Sequence, residues 1–110
     1  MNEELITTRP RFKTRTFEAG LELVVALPGV PKDALEVHLE KRLLTVKGTR
    51  SQLEDHESAD QEARRYELKV ELHEDLDPNV IDGSYQNGIL KLKLNKRKEL
   101  APRKIDILAN

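Results

Sequence analysis

The dipeptide Asn87-Gly88 and the residues that flank it constrain this chain more than any other feature. Asn and Gly reach positive φ cheaply, so the pair marks a tight reversal between two antiparallel strands. Beyond it, Leu90, Leu92 and Leu94 alternate with Lys91 and Lys93. That period of two gives a strand with one apolar and one charged face. Before it, Ile81, Gly83 and Tyr85 occupy alternate positions. The local prediction is a β-hairpin.

The same alternation recurs upstream. Leu21, Leu23, Val25 and Leu27 form one line, Leu35, Val37 and Leu39 a second, and Leu44 and Val46 a third. A fourth runs through Tyr66, Leu68, Val70 and Leu72, interleaved with Glu67, Lys69 and Glu71. Turn signals separate or border the runs at Ala19-Gly20, Pro28-Gly29, Asp77-Pro78 and Asn87-Gly88. Short strands at this spacing predict an all-β fold, an antiparallel β-sandwich with one face of each strand buried and the other solvated. Residues 51–63 break the pattern: five acidic side chains (Glu54, Asp55, Glu57, Asp60, Glu62) accompany one large aliphatic, Leu53, and the segment reads as a loop. The expected division is a short polar arm at 1–9, the sandwich domain at 10–95, and a C-terminal extension at 96–110.

A chain of 110 residues forms one domain at most, burying ~65% of its unfolded surface. Aromatic residues are only 4% of it, so the core must be aliphatic and a large ligand pocket is not expected. A net charge of −1 argues against nucleic acid as a partner. Cysteine is absent, which removes disulfides and thiolate metal sites. The first residues lack a basic stretch followed by an apolar run, and no apolar run approaches the ~18 residues of a membrane span. The expected location is the cytoplasm, with no membrane partner.

The chain offers little catalytic chemistry. His38, His56 and His73 are isolated from one another and from ligand-type side chains at helical spacing, and His38 falls on the polar face of its strand. Ser51, Ser58 and Ser84 have no base beside them in sequence, and there is no phosphate-binding glycine loop, nucleophile elbow or His-Glu-x-x-His. The acidic segment lacks the alternate ligands and sixth-position glycine of a calcium loop. No catalytic residue, cofactor or metal is expected, and the protein is read as a non-enzyme.

The sharpest candidate lies near the end of the chain. Ile105 and Ile107, at i and i+2 of an extended segment, point the same way. They can act as knobs in a groove beside an open strand edge; the spacing alone slightly favours a last intramolecular strand or a frayed tail, and the position behind a charged linker turns the reading to docking. The preceding linker carries Lys96, Arg97, Lys98, Arg103, Lys104 and Pro102. Ten extended residues reach ~33 Å, enough to dock the tail on a neighbouring subunit. Burying two isoleucines is worth ~3–6 kcal/mol gross. Association itself costs ~4–15 kcal/mol, so one tail in one groove binds weakly and tails acting together bind well.

Three segments in this order resemble the small heat-shock protein (Hsp20, α-crystallin) family. Leu27-Pro28-Gly29-Val30-Pro31-Lys32-Asp33 is similar to its L-P-G-V-x-[KR]-[ED] segment, Asn87-Gly88-Ile89-Leu90 to its A-x-x-x-N-G-[IV]-L signature, and Ile105-Asp106-Ile107 to its I-x-I tail. The alanine of that signature is replaced by Gly83 or Ser84. The resemblance spans residues 10–108 and implies an immunoglobulin-like sandwich of seven to eight strands that pairs as a dimer. It implies a tail groove between the strand of Leu35, Val37 and Leu39 and the strand of Ile81, Gly83 and Tyr85. It also marks Arg64, Arg65 and Leu68 as dimer-interface candidates, with Leu68 where the family commonly has an arginine. Only nine residues precede the domain, and the 51–63 loop is shorter than the family's and has no aromatic.

The activity implied is that of an ATP-independent holdase chaperone in the stress response, one that binds partly unfolded clients and suppresses their aggregation. Its partners would be those clients and itself, as a homodimer or higher oligomer. The competing expectation is a protein-interaction adaptor or co-chaperone module on the same sandwich, or a co-assembling partner of a longer small heat-shock protein.

Overall fold

In a computed structural model, the structure describes residues 6–51, 63–98 and 107–108. The chain forms the strands β1 (Ile6–Thr8), β2 (Phe12–Phe17), β3 (Gly20–Ala26), β4 (Leu35–Glu40), β5 (Leu43–Arg50), β6 (Arg64–Glu71), β7 (Leu76–Gln86) and β8 (Ile89–Lys96), with a 3₁₀ turn at Lys32–Ala34. They form two four-stranded sheets, ordered β1-β6-β5-β4 and β2-β3-β8-β7. Among the described residues every pairing is antiparallel except β1 with β6. The fold is the expected β-sandwich.

Each sheet turns its aliphatic positions inward. Leu23 and Val25 of β3, Leu44 and Val46 of β5, Leu68 of β6 and Leu94 of β8 are essentially inaccessible, as is Leu27 just beyond β3. Such side chains contribute roughly 1.5–3 kcal/mol each on burial. The intervening Lys47, Lys69, Lys91 and Lys93 are exposed, as one-sided sheets require. Two alternating patterns of opposite phase thus close one dry layer.

The reversals divide into those with and without a turn signal. Asn87 (φ 53°) and Gly88 (φ 76°) make the two-residue β7–β8 turn, and Gly29 (φ 82°) makes the turn after β3. Lys41 (φ 57°) turns β4 into β5 with no glycine, asparagine or proline to announce it. Asp77-Pro78 is not a turn between elements: it lies within β7, where the β7–β8 register slips between Leu76 and Ile81. Proline cannot donate to the ladder, and a bulge on an edge strand is where it is tolerated.

Two strands lack an aliphatic alternation. β2 reads Phe-Lys-Thr-Arg-Thr-Phe and is exposed along most of its length. Its pairing with β3 from Phe12–Val25 to Phe17–Gly20 defines it, not its hydrophobicity. β1 falls within the segment expected to be an arm and pairs with Arg64, Arg65 and Tyr66.

A candidate docking cleft between two edge strands

β4 and β7 are the end strands of their respective sheets. Among the described residues, each therefore has one edge whose backbone groups have no neighbouring strand within its sheet. The register tells which side chains of these strands face inward. Leu35, Val37 and Leu39 stand beside Gly48, Val46 and Leu44 of β5, while Ile81, Gly83 and Tyr85 stand beside Leu94, Leu92 and Leu90 of β8. Leu35, Leu39, Ile81 and Tyr85 pack partly against the core. Val37 keeps 39% of its surface exposed. All six expected groove residues thus lie on the inward sides of two edge strands.

Two polar clamps tie the ends of β7 to the segments around β4. At one end Tyr85 Oη donates to the Val30 carbonyl at 2.6 Å, with the Leu27 carbonyl at 3.2 Å. Val30 in turn packs on Gly48, where an added Cβ would sit 3.0 Å from Val30 Cγ1. At the other end Arg42, on the β4–β5 turn, donates from Nη2 to the carbonyls of His73 (2.7 Å) and Leu76 (2.8 Å). The bonds to Val30, Leu27 and Leu76 satisfy half-buried backbone acceptors, and the bond to His73 lies at the surface. Neither was apparent in sequence, because each joins residues at least 31 positions apart.

Gly83 lies on β7 between the two clamps. A Cβ there would approach Leu92 Cδ2 at 2.9 Å, so a side chain would push on the core leucine. Burial raises the pKa of the Tyr85 phenol, keeping it a neutral donor. The lining is aliphatic with one phenol; it suits apolar knobs and extended backbone rather than proton transfer.

The remaining candidates are placed as follows. Ile107 is 88% exposed and Leu108 91% exposed, whereas Ile105 lies outside the described residues. Leu68 is buried in the core, with only 1% exposed, so its side chain supports the sandwich and is not available to a partner. Arg65 is exposed and Arg64 half-buried at the start of β6. His38 Nε2 lies 3.6 Å from Glu36 Oε2 on the outer face of β4, and His73 Nδ1 accepts from the Asp75 amide at 3.2 Å. His56 and the acidic loop fall outside the described residues. Among the described residues no three His, Cys, Asp or Glu side chains converge as a metal site, and no helix is long and apolar enough to cross a membrane.

Two four-stranded sheets with β4 and β7 as end strands define a class of β-sandwich protein. The match to the Hsp20/alpha crystallin family over residues 14–108 identifies it: the chain belongs to that family. It is 33% identical over 113 residues to the 18 kDa antigen of Mycobacterium leprae, an alignment covering 96% of this chain and 76% of that protein. Among solved structures, HSP18.5 from E. histolytica superposes with a TM-score of 0.76 at 20% identity, covering 91% of this chain and 99% of that one. A small heat-shock protein from Xylella fastidiosa, described as having a distinct high order structure, superposes with a TM-score of 0.73 at 25% identity, covering 91% and 96%.

Proposed function

We propose that this protein is an ATP-independent holdase chaperone of the small heat-shock type, which binds partly unfolded proteins in the cytoplasm and keeps them from aggregating. The observation that carries this reading is membership of the Hsp20/alpha crystallin family together with two end strands, β4 and β7, whose Leu35, Leu39, Ile81 and Tyr85 pack partly on the core. An open strand edge beside an apolar groove receives extended segments: the backbone bonds to the edge and alternate side chains fill the groove. An unfolded client presents such segments, and so does the chain's own tail.

In this reading residues 96–110 act as a tether, and Ile105 and Ile107 of one copy seat in the cleft of another. Leu35, Val37, Leu39, Ile81, Gly83 and Tyr85 form the receiving surface. Arg64 and Arg65 lie where a dimer partner approaches, with Leu68 supporting them from the core. Residues 10–95 form the working domain, residues 1–9 its arm. No nucleotide, metal or catalytic residue is needed, because holding a client requires only reversible burial of its apolar surface.

The test is light scattering from a heat-aggregating client with increasing amounts of this protein and no nucleotide. Suppression near stoichiometric ratios is the expected result. Aggregation unchanged by a several-fold excess would overturn the holdase reading and favour an adaptor or co-assembling partner on the same sandwich.

A further inference from the structure

Asn87-Gly88 closes the β7–β8 hairpin, and nowhere else in the chain does glycine follow asparagine. That pair carries a chemistry of its own. The Gly88 backbone nitrogen, on giving up its proton, bonds to the side-chain carbonyl carbon of Asn87, and the side-chain nitrogen leaves as ammonia. Water then opens the five-membered imide at one or other carbonyl, which yields aspartate or isoaspartate. Glycine favours the step because it has no side chain to crowd the attacking nitrogen. Asn2, Asn79 and Asn95 precede Glu3, Val80 and Lys96, whose side chains do crowd it.

The fold holds the pair away from that reaction. Asn87 at φ 53° and Gly88 at φ 76° make a two-residue turn with both φ positive. This is type I′, with ψ of ~+30° at its first central residue. At that angle the Gly88 nitrogen points away from Asn87 Cβ, whereas ring closure needs it on the Cβ side. The turn is anchored against such a rotation. Gln86 pairs with Ile89 and Tyr85 with Leu90, and the Leu27 N–H donates to the Gly88 carbonyl at 2.7 Å. Leu27 is buried and also accepts from Tyr85 Oη at 3.2 Å, so moving Gly88 disturbs the segment that Tyr85 holds. The Asn87 side chain itself is exposed to water.

We infer that Asn87-Gly88 is a modification site at which the chain records opening of its β7–β8 hairpin. While the turn is formed, the asparagine is kept. When the hairpin opens, ψ at Asn87 is free and the imide forms. The aspartate product leaves the backbone as it was, and Asp-Gly also suits a type I′ turn. Isoaspartate instead carries the main chain through Cβ, one atom longer than before. A two-residue turn fixes the register of the strands it joins, and the longer link no longer fits it. That register sets Ile81, Gly83 and Tyr85 beside Leu94, Leu92 and Leu90. An opened molecule that takes this branch does not rebuild its native hairpin. The inference depends on neither tail docking nor the holdase reading.

The experiment holds the full chain at neutral pH in native buffer and, in parallel, in guanidinium chloride above its unfolding midpoint. Samples are digested over time, and peptide fragmentation assigns the gain in mass from amide to acid to Asn87. Asp82-Gly83 can close the same ring, but its isomerisation leaves the mass unchanged. The expected loss of Asn87 is about tenfold or more slower in the folded chain than in the unfolded one, because only the opened fraction reacts. Equal rates in the two states would overturn the proposal. The isoaspartyl protein is then separated, refolded and compared with Asn87→Asp, which has the same charge and mass on an unchanged backbone. The isoaspartyl form should unfold at a lower urea midpoint. Equal midpoints would also overturn the proposal, since the longer backbone would then fit the turn.

Discussion

Tyr85 Oη lies 2.6 Å from the carbonyl oxygen of Val30, and this bond joins edge strand β7 to the segment that leads into edge strand β4. At this end the two edge strands are tied by a phenol 55 residues along the chain from its acceptor. Tyr85→Phe keeps the ring and removes the donor, leaving the Val30 and Leu27 carbonyls without it. The expected loss is ~1–3 kcal/mol of stability, the range for an unpaired buried acceptor. Urea unfolding checks it, with a lower midpoint and an unchanged slope.

The same phenol makes stability depend on alkaline pH. Burial raises its folded-state pKa above the ordinary tyrosine value of about 10. A raised pKa means that the folded state holds its proton where the unfolded state has released it. Its contribution is therefore fully present below about pH 10 and declines as pH rises through the folded-state value. Unfolding curves between pH 8 and about 11 should show wild type losing more stability than Tyr85→Phe over the upper part of that range.

Arg42 clamps the opposite end. Its Nη2 serves both the His73 and Leu76 carbonyls, at the entry to β7. Arg42→Met keeps much of the aliphatic stem and removes the donors. The expected cost is about 1.5–3 kcal/mol, the range for hydrogen bonds involving a charged group. Amide exchange should rise in the first residues of β7 before it rises in β8.

Strands with aliphatic alternation were legible in sequence, because Leu23, Val46, Leu68 and Leu94 declare their inward face at every second residue. β1 and β2 were not. Their side chains alternate little in hydrophobicity, and only pairing with β6 and β3 makes them strands. Asp77-Pro78 misled for a related reason: on an edge strand a proline costs one bond and a bulge, not the strand. The cleft residues were named from a family resemblance, and the structure places all six on two edge strands. The clamps at Tyr85 and Arg42 escaped because tertiary hydrogen bonds of this length leave no periodic trace. Leu68 was offered as an interface residue since it replaces an expected arginine, yet its position in β6 turns it inward.

That placement separates two neighbours on β6. Leu68→Ala deletes fully buried methyls and should cost ~2–5 kcal/mol. Arg65→Ala, on the exposed face, should change monomer stability by less than about 0.5 kcal/mol. Any effect of Arg65→Ala should appear in the subunit equilibrium, measured by sedimentation, with the thermal transition of the fold unmoved.

The most direct test of the cleft's role is a cross-link, which the absence of any natural cysteine makes clean. Val37→Cys places a thiol on the half-open wall of the cleft, and Ile107→Cys places one on the exposed tail. The two proteins, one isotopically labelled, are mixed and oxidised, and the covalent dimers are weighed. Tail docking between copies predicts that mixed dimers form well above statistical proportion, and that Gly83→Leu in the Val37→Cys protein removes the excess. Mixed dimers at statistical proportion, or an excess that survives Gly83→Leu, would contradict it.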